Sequence, residues 1–133
     1  MISIGTLRYS PKLLGHRLSE KWWLVLDCDK AIGTYYRDLY RLFHHRTKEL
    51  IRPAWDSHIT VIRNEEPINK EVWEKYAGKQ VEFEYESSLQ TDGNYWWLNV
   101  VSEELLAART ELGLPRDPQF PLHLSVGHQG LTQ

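Results

Sequence analysis

The sequence predicts an α/β fold made of two similar lobes. Two apolar strand-like runs each open with a pair of tryptophans, Trp22-Trp23-Leu24-Val25-Leu26 and Trp96-Trp97-Leu98-Asn99-Val100. Each run is followed by apolar residues at helical spacing, and then by a second apolar run that contains a histidine. The repeated order of elements indicates an internal duplication, with pseudo-repeats at about 22–64 and 95–128 within a single domain, 1–133.

Composition sets the limits of this fold. The 133 residues are 41% hydrophobic and 26% charged, which is enough for one hydrophobic core without covalent staples. The net charge of -2 provides no global positive field for duplex DNA, although a local basic pocket remains compatible with it. The single cysteine, Cys28, cannot form an internal disulfide, and its apolar surroundings predict a buried thiol.

Neither a signal peptide nor a run of apolar residues long enough to span a bilayer is recognisable. We therefore expect no membrane partner and a cytoplasmic location, which would be the host cytoplasm if the chain is viral.

The first half is predicted to contain two strands, a helix and a third strand. Asp29 is the expected N-cap of the helix, because it precedes apolar residues at helical spacing, and Pro53 marks the latest point at which the helix can end. The expected ranges are a strand near 6–9, a buried strand at 22–28, a helix from 29 to 50 or 51, and a strand that carries His58 and stops near 64.

The second half is predicted to begin with a short helix that starts near Asn69 and ends at Gly78. Ser102 is the expected N-cap of a later helix, which Gly113 and Pro115 terminate. Around that helix we expect a half-solvated strand at 81–86, a hairpin turn at Asp92-Gly93, a strand at 95–101, and a last strand that carries His123. Whether strands joined by a helix are parallel or antiparallel is left open.

Two segments of matching pattern are the main indication of function, His58-Ile59-Thr60-Val61 and His123-Leu124-Ser125-Val126. Because side chains alternate across a strand, each histidine shares a face with the hydroxyl residue two positions later. A third triplet, His45-Arg46-Thr47, lies in a polar helical context and is set aside. The pseudo-two-fold arrangement of the lobes predicts that the two histidine strands meet in a central cleft.

Alternation also predicts what does not face the cleft. Arg63 should point away from His58, and His128 should lie on the face opposite His123. Candidate cleft residues outside the two motifs are Arg8, Tyr9 and Lys12, which form a basic, amphipathic start to the chain. Tyr9 could stack on a nucleobase, and ordinary surface and packing roles are the alternative for all three.

These residue types suit phosphodiester cleavage. Histidine titrates near pH 6.5, so one neutral and one protonated imidazole can coexist near neutrality as base and acid. The hydroxyls of Thr60 and Ser125 can donate hydrogen bonds to phosphate oxygens. Neither a metal nor a cofactor is then required. The rival use of two histidines is a metal site, for which Asp56 and His128 could supply further ligands.

The paired motifs resemble those of the 2H phosphoesterases, which include the LigT-like RNA cyclic phosphodiesterases. The resemblance is specific at the eight motif residues. It implies a duplicated fold with two antiparallel-rich sheets around a central cleft and helices outside. It also implies that His58 and His123 are catalytic and that Thr60 and Ser125 bind phosphate, without metal or cofactor.

The implied substrate is a nucleotide, a cyclic oligonucleotide or an RNA end, cleaved at a 2′,3′-cyclic phosphate, a 2′-5′ linkage or a cyclic signal. Some phage members degrade cyclic signals of bacterial defence, and a compact, Trp-rich chain is compatible with such a member. A non-catalytic nucleotide-binding module and a metal-dependent hydrolase remain the alternatives. Base preference, the identity of the acid and oligomeric state stay open.

Overall fold

The computed structural model describes residues 1–11 and 22–130, so the predicted cleft residue Lys12 lies outside the described residues. Two helices and seven strands occupy these ranges, with a short 3₁₀ turn at Lys70–Val72. In chain order they are β1 (Ile2–Tyr9), β2 (Leu24–Asp27), α1 (Lys30–Phe43), β3 (His58–Ile62), β4 (Gln80–Tyr85), β5 (Gln90–Thr91), β6 (Tyr95–Val101), α2 (Glu103–Glu111) and β7 (His123–His128).

The strands form one sheet in the order β4-β1-β2-β3-β7-β6-β5, and every pairing is antiparallel. A further pairing of β4 with β6 closes six of the strands into a barrel, and β5 extends β6 outside that ring. The mixed α and β composition and the antiparallel strands are as predicted. The expectation of two lobes with separate sheets is wrong, because the β1–β4 and β3–β7 pairings both join the first half of the chain to the second.

The repeated order of elements is present in both halves, as β2-α1-β3 and β6-α2-β7. In each half the helix connects two neighbouring antiparallel strands, which answers the question that the sequence left open. Helix α1 ends at Phe43, several residues before the predicted end. The cause is local: His45 and Arg46 adopt φ values of 53° and 64°, and a helix cannot continue through left-handed backbone. Neither described helix could cross a membrane.

The core is built from the strand residues that point away from the two histidines. Leu26, Ile59, Leu98 and Leu124 have no exposed surface, and residues of both helices pack against them. Cys28 is also buried, as predicted, and burial raises the pKa of its thiol. Each fully buried Leu or Ile contributes about 1.5–3 kcal/mol of transfer free energy. This packed interior holds the strands, and therefore the outward-facing motif residues, in register.

Both predicted N-caps are confirmed. The Asp29 carboxylate accepts from the backbone N–H of Ala31 at 2.9 Å. The Ser102 hydroxyl accepts from the backbone N–H of Leu105 at 3.3 Å and donates to the carbonyl of Glu82 at 3.2 Å. Ser102 therefore fixes the start of α2 and links that helix to β4.

Ser102→Ala should lower the free energy of unfolding by about 0.5–2 kcal/mol, because the N-terminus of α2 loses its cap. Urea denaturation followed by circular dichroism measures the effect, and Ser102→Thr, which keeps the hydroxyl, is the matched control. A loss in Ser102→Thr as large as that in Ser102→Ala would show that the hydroxyl is not what stabilises this helix start.

Arg109 ties α2 to the end of β3. Its side chain is 1% exposed, and its guanidinium donates to both carboxylate oxygens of Glu65, at 2.8 and 2.9 Å. It also donates to the carbonyls of Val61 at 3.0 Å and Pro115 at 2.9 Å. Both oxygens of the Glu65 carboxylate are thus bound by Arg109. These contacts attach the segment that follows β3 to helix α2.

Candidate active site

The two histidine strands are hydrogen-bonded neighbours, as the motif pairing predicted. In the antiparallel register of β3 and β7, His58 lies opposite Ser125 and Ile59 lies opposite Leu124. The same register, continued by one residue, brings Thr60 level with His123. The four side chains therefore form the corners of a quadrilateral, in which the histidines occupy one diagonal and the hydroxyl residues the other. All four line one cleft on the outer face of the sheet.

The cleft encloses about 790 Å³, a volume in the range of small-ligand sites. Its walls carry an unusual number of aromatic rings for so small a protein. Trp55 packs edge-on against His58, with ring centroids 5.3 Å apart, and Trp97 lies 6.1 Å from His123. The aromatic residues of the lining are Trp23, Trp55, Tyr95, Trp96, Trp97 and Phe120.

Backbone carbonyls fix the proton positions of the two motif histidines. The Nδ1 atom of His58 lies 2.9 Å from the carbonyl oxygen of Asp56, and that of His123 lies 2.8 Å from the carbonyl oxygen of Pro121. A carbonyl can only accept, so each Nδ1 carries the proton and donates it. In both rings Nε2 is therefore the nitrogen that can accept a proton, or donate one when the ring is charged.

His58 is 8% exposed, and burial is the largest cause of its lowered pKa. The nearby His123 lowers the pKa further, whereas the carbonyl of Asp56 and the charge of Asp27 act in the opposite direction. His58 is therefore neutral near pH 7, with Nε2 unprotonated. An imidazole in that state accepts protons, which is the property of a general base.

The hydroxyls of Thr60 and Ser125 are available to a ligand. Neither makes a hydrogen bond to another residue within 1–11 or 22–130. Both residues are only partly buried, and both lie at the cleft. Two hydroxyl donors between two imidazoles are suited to hold the non-bridging oxygens of a phosphate.

A β-bulge changes the expected orientation of Arg63. Val25 of β2 pairs with Thr60, but Leu24 pairs with Ile62, so Val61 is an extra residue in β3. Val61 and Ile62 consequently both face the core. Alternation then resumes one position out of phase, and Arg63 lines the cleft together with His58. The prediction that Arg63 points away from His58 is wrong for this reason.

An equivalent bulge turns His128 into the cleft. Trp97 pairs with Ser125 and Trp96 pairs with Gly127, so Val126 is the extra residue of β7. Val126 and Gly127 are both buried, and His128 lines the same cleft as His123. The prediction that His128 lies on the opposite face is therefore also wrong. One signal in the sequence could have indicated both positions, since a basic or imidazole side chain follows each motif histidine by five residues.

Neutral His128 carries its ring proton on Nε2, whereas His58 and His123 carry theirs on Nδ1. Its Nδ1 accepts from the backbone N–H of Gly130 at 3.0 Å, so the neutral ring carries its proton on Nε2. Backbone hydrogen bonds with Ile51, 2.7 and 3.0 Å long, fix the strand at this residue. Unlike His58 and His123, neutral His128 can therefore offer only a hydrogen-bond donor at Nε2.

Two of the three remaining cleft candidates are placed elsewhere. Arg8 forms a two-pronged ion pair with Asp27, with N–O distances of 2.7 and 3.0 Å. Tyr9 packs edge-on against Trp73, with ring centroids 4.9 Å apart. Neither residue is part of the cleft lining, so the prediction that they border the cleft is wrong. Both sit on β1, which is separated from β3 by β2.

The carboxylate suggested as a metal ligand is bound by arginine. Asp56 accepts from Arg37 at 3.2 Å, and Arg52 lies 4.0 Å from its second oxygen. Asp56 does not line the cleft, and its backbone carbonyl, not its side chain, contacts His58. Among the described residues, no group of three or more His, Cys, Asp or Glu side chains is arranged to hold a metal ion.

No family model matches the chain, and no curated protein or solved structure is detectably similar to it.

Proposed function

We propose that this protein is a metal-independent phosphodiesterase of the 2H type, acting on a nucleotide or RNA phosphoester. The observation that carries the proposal is the quadrilateral at the β3–β7 pair, with His58 opposite Ser125 and the second histidine on the diagonal. Diagonal neighbours in an antiparallel sheet are about 7–8 Å apart. A phosphorus atom between them would have one imidazole on each side, as an in-line displacement requires.

The lowered pKa of His58 favours this residue as the base. Neutral His58 takes the proton of the attacking oxygen, which is that of water or of a neighbouring ribose hydroxyl, through Nε2. The role of the acid then falls to His123, which in its imidazolium form gives the Nε2 proton to the leaving oxygen as the bond from phosphorus breaks. Thr60 and Ser125 donate to the non-bridging oxygens, where negative charge grows in the transition state. His128, which presents an Nε2–H donor, can bind a further oxygen.

The aromatic walls support a nucleotide as the substrate. Indole and phenol rings stack on the faces of nucleobases, and such stacking is worth about 1–3 kcal/mol per base. Aromatic rings lie on both sides of the motif residues, with Trp23 and Trp55 at β2 and β3, and Tyr95 and Trp97 on β6. A phosphodiester held over β3 and β7 would thus have rings within reach of its flanking nucleosides.

The deciding experiment is a substrate panel assayed in excess chelator. It contains 2′,3′-cyclic mononucleotides, 2′-5′ oligoadenylate, and cyclic di- and trinucleotides. We expect turnover of at least one class with chelator present. Binding without turnover would instead support a nucleotide-binding module, and activity that chelator removes and added metal restores would support a metal-dependent hydrolase.

The acidic limb of the pH profile should report His58. Its pKa in the folded protein is lowered from 6.5, so the midpoint of the acidic fall in kcat/KM should lie below that value. We expect this limb in kcat/KM measured from pH 4.5 to 8. An acidic midpoint at or above 6.5 would contradict the assignment of His58 as the buried neutral base.

The lowered pKa of His58 also makes the free energy of unfolding depend on pH. The unfolded chain binds a proton at His58 more readily than the folded protein does, so folding is favoured while the imidazole is neutral. This contribution is complete above pH 6.5 and is lost as the pH falls through the lower, folded-state pKa. Melting temperatures measured across the same pH series separate the loss of fold from the loss of catalysis.

A further inference from the structure

Arg63 is the single lysine or arginine among the described residues that line the cleft. It follows β3 directly, three positions beyond Thr60. At about 3.3 Å per residue in a strand, its backbone lies up to roughly 10 Å from that of Thr60. The Arg63 guanidinium therefore lies in the same cleft as the four motif side chains. Its backbone attachment point, however, is well separated from theirs.

Two aromatic rings hold the Arg63 guanidinium. Its central carbon lies 5.3 Å from the ring centroid of Trp23 and 5.7 Å from that of Phe120, both within the range of cation–π contacts. Trp23 comes from the start of the β2 run and Phe120 from the segment before β7. Contacts with two separate segments restrict a side chain that would otherwise lose considerable entropy on binding a ligand.

The guanidinium also lacks an acceptor in the described part of the chain. The carboxylate whose charge acts on Arg63 is that of Glu65, which is bound through both oxygens by Arg109 and accepts only the backbone N–H of Arg63, at 3.3 Å. No hydrogen bond or ion pair of the Arg63 side chain is made with residues 1–11 or 22–130. A guanidinium that is oriented by two rings and makes no ion pair with a described carboxylate is suited to bind an external anion.

We propose that Arg63 forms a second phosphate site in the cleft, and that the substrate is an oligonucleotide, linear or cyclic, with at least two phosphates. This inference rests on the proposed function, since the first phosphate is the one held between His58 and His123. A planar guanidinium binds a phosphate through two parallel N–H donors and remains protonated at any physiological pH. A cyclic mononucleotide would leave this donor pair empty.

The test uses two probes that differ by one phosphate: adenylyl-2′-5′-adenosine with and without a 5′-phosphate. In the wild-type protein, kcat/KM should be about 10- to 150-fold higher for the phosphorylated probe, as expected for a hydrogen bond to a charged group. Arg63→Gln should remove that preference, so that the ratio of kcat/KM between the two probes approaches one. Arg63→Lys keeps the positive charge but loses the two parallel N–H donors, so it should retain part of the preference for the phosphorylated probe.

Arg116→Gln is the control, because Arg116 is bound to Glu103 and lies outside the cleft lining. It should leave the preference intact. Equal turnover of the two probes by the wild-type protein, or an equal loss on both in Arg63→Gln, would overturn the second site. Melting temperatures identify a variant that is merely unfolded.

Binding separates this inference from the proposed function. The two probes are titrated calorimetrically against His58→Ala, with and without the additional Arg63→Gln change. A preference for the phosphorylated probe that depends on Arg63 supports the anion site even if the wild-type protein turns over neither probe, an outcome that would count against the phosphodiesterase alone. Turnover without any Arg63-dependent preference would reject the anion site and leave the phosphodiesterase standing.

Discussion

His58→Ala and His123→Ala are each expected to reduce kcat/KM by about 10²-fold or more, the contribution of a general acid or base. The two losses should not add when both residues are replaced, because base and acid act in a single step. Steady-state rates on the best substrate of the panel measure the effect. His58→Ala should also lose the acidic limb of the pH profile, which a purely structural histidine would not control.

The control for this pair is built into the chain. His45 begins a third His-x-Thr triplet but lies in the turn after α1, outside the cleft lining. Its φ of 53° suits asparagine, so His45→Asn should preserve both fold and rate. A wild-type rate in either cleft variant would refute the two-histidine mechanism. Melting temperatures close to that of the wild type would confirm that the active-site changes act on chemistry.

The second large effect is expected at the hydroxyls. Thr60→Val keeps the shape of the side chain and removes its donor, so kcat/KM should fall by about 10- to 150-fold if the hydroxyl binds a charged phosphate oxygen. Ser125→Ala should give a loss of the same order. The effect should appear mainly in kcat, since the charge on those oxygens is largest in the transition state.

A different explanation of Thr60 is that a β-branched residue simply suits a strand. Under that explanation Thr60→Val retains full activity and melts at an equal or higher temperature. Thr6→Val is the matched control, because Thr6 is an exposed threonine of β1 that does not line the cleft. Suppose that Thr60→Val is fully active on a substrate that His58→Ala cannot process. The Thr60 hydroxyl would then have no role in binding phosphate.

Local signals in the sequence were sufficient to predict most helices and strands, and to predict that the two motif strands are neighbours. Capping residues located the starts of both helices, and the two apolar histidine runs became adjacent strands. These features depend on a few neighbouring residues, or on a pattern that occurs twice. The placement of His58, Thr60, His123 and Ser125 at one cleft followed from alternation over only three positions, a span that neither bulge interrupts.

The features that were not predicted depend on contacts between distant strands. Pairing of β4 with β6 closes the sheet, and nothing within either segment specifies that partner. The bulges at Val61 and Val126 arise from how β3 and β7 pair with β2 and β6. Uninterrupted alternation of side chains therefore assigned Arg63 and His128 to the wrong face of the sheet. Arg8 was misplaced because its charge satisfies Asp27 on the neighbouring strand.

The β3–β7 pairing has one further consequence. Residues up to β3 supply His58 and Thr60, and residues after β4 supply His123 and Ser125, so neither portion of the chain contains a complete set of reacting groups. The proposed chemistry therefore requires the two portions to be paired along β3 and β7. Cutting the connection between β3 and β4 would yield two fragments that are inert apart, and restored turnover on mixing would be a direct measure of their reassociation.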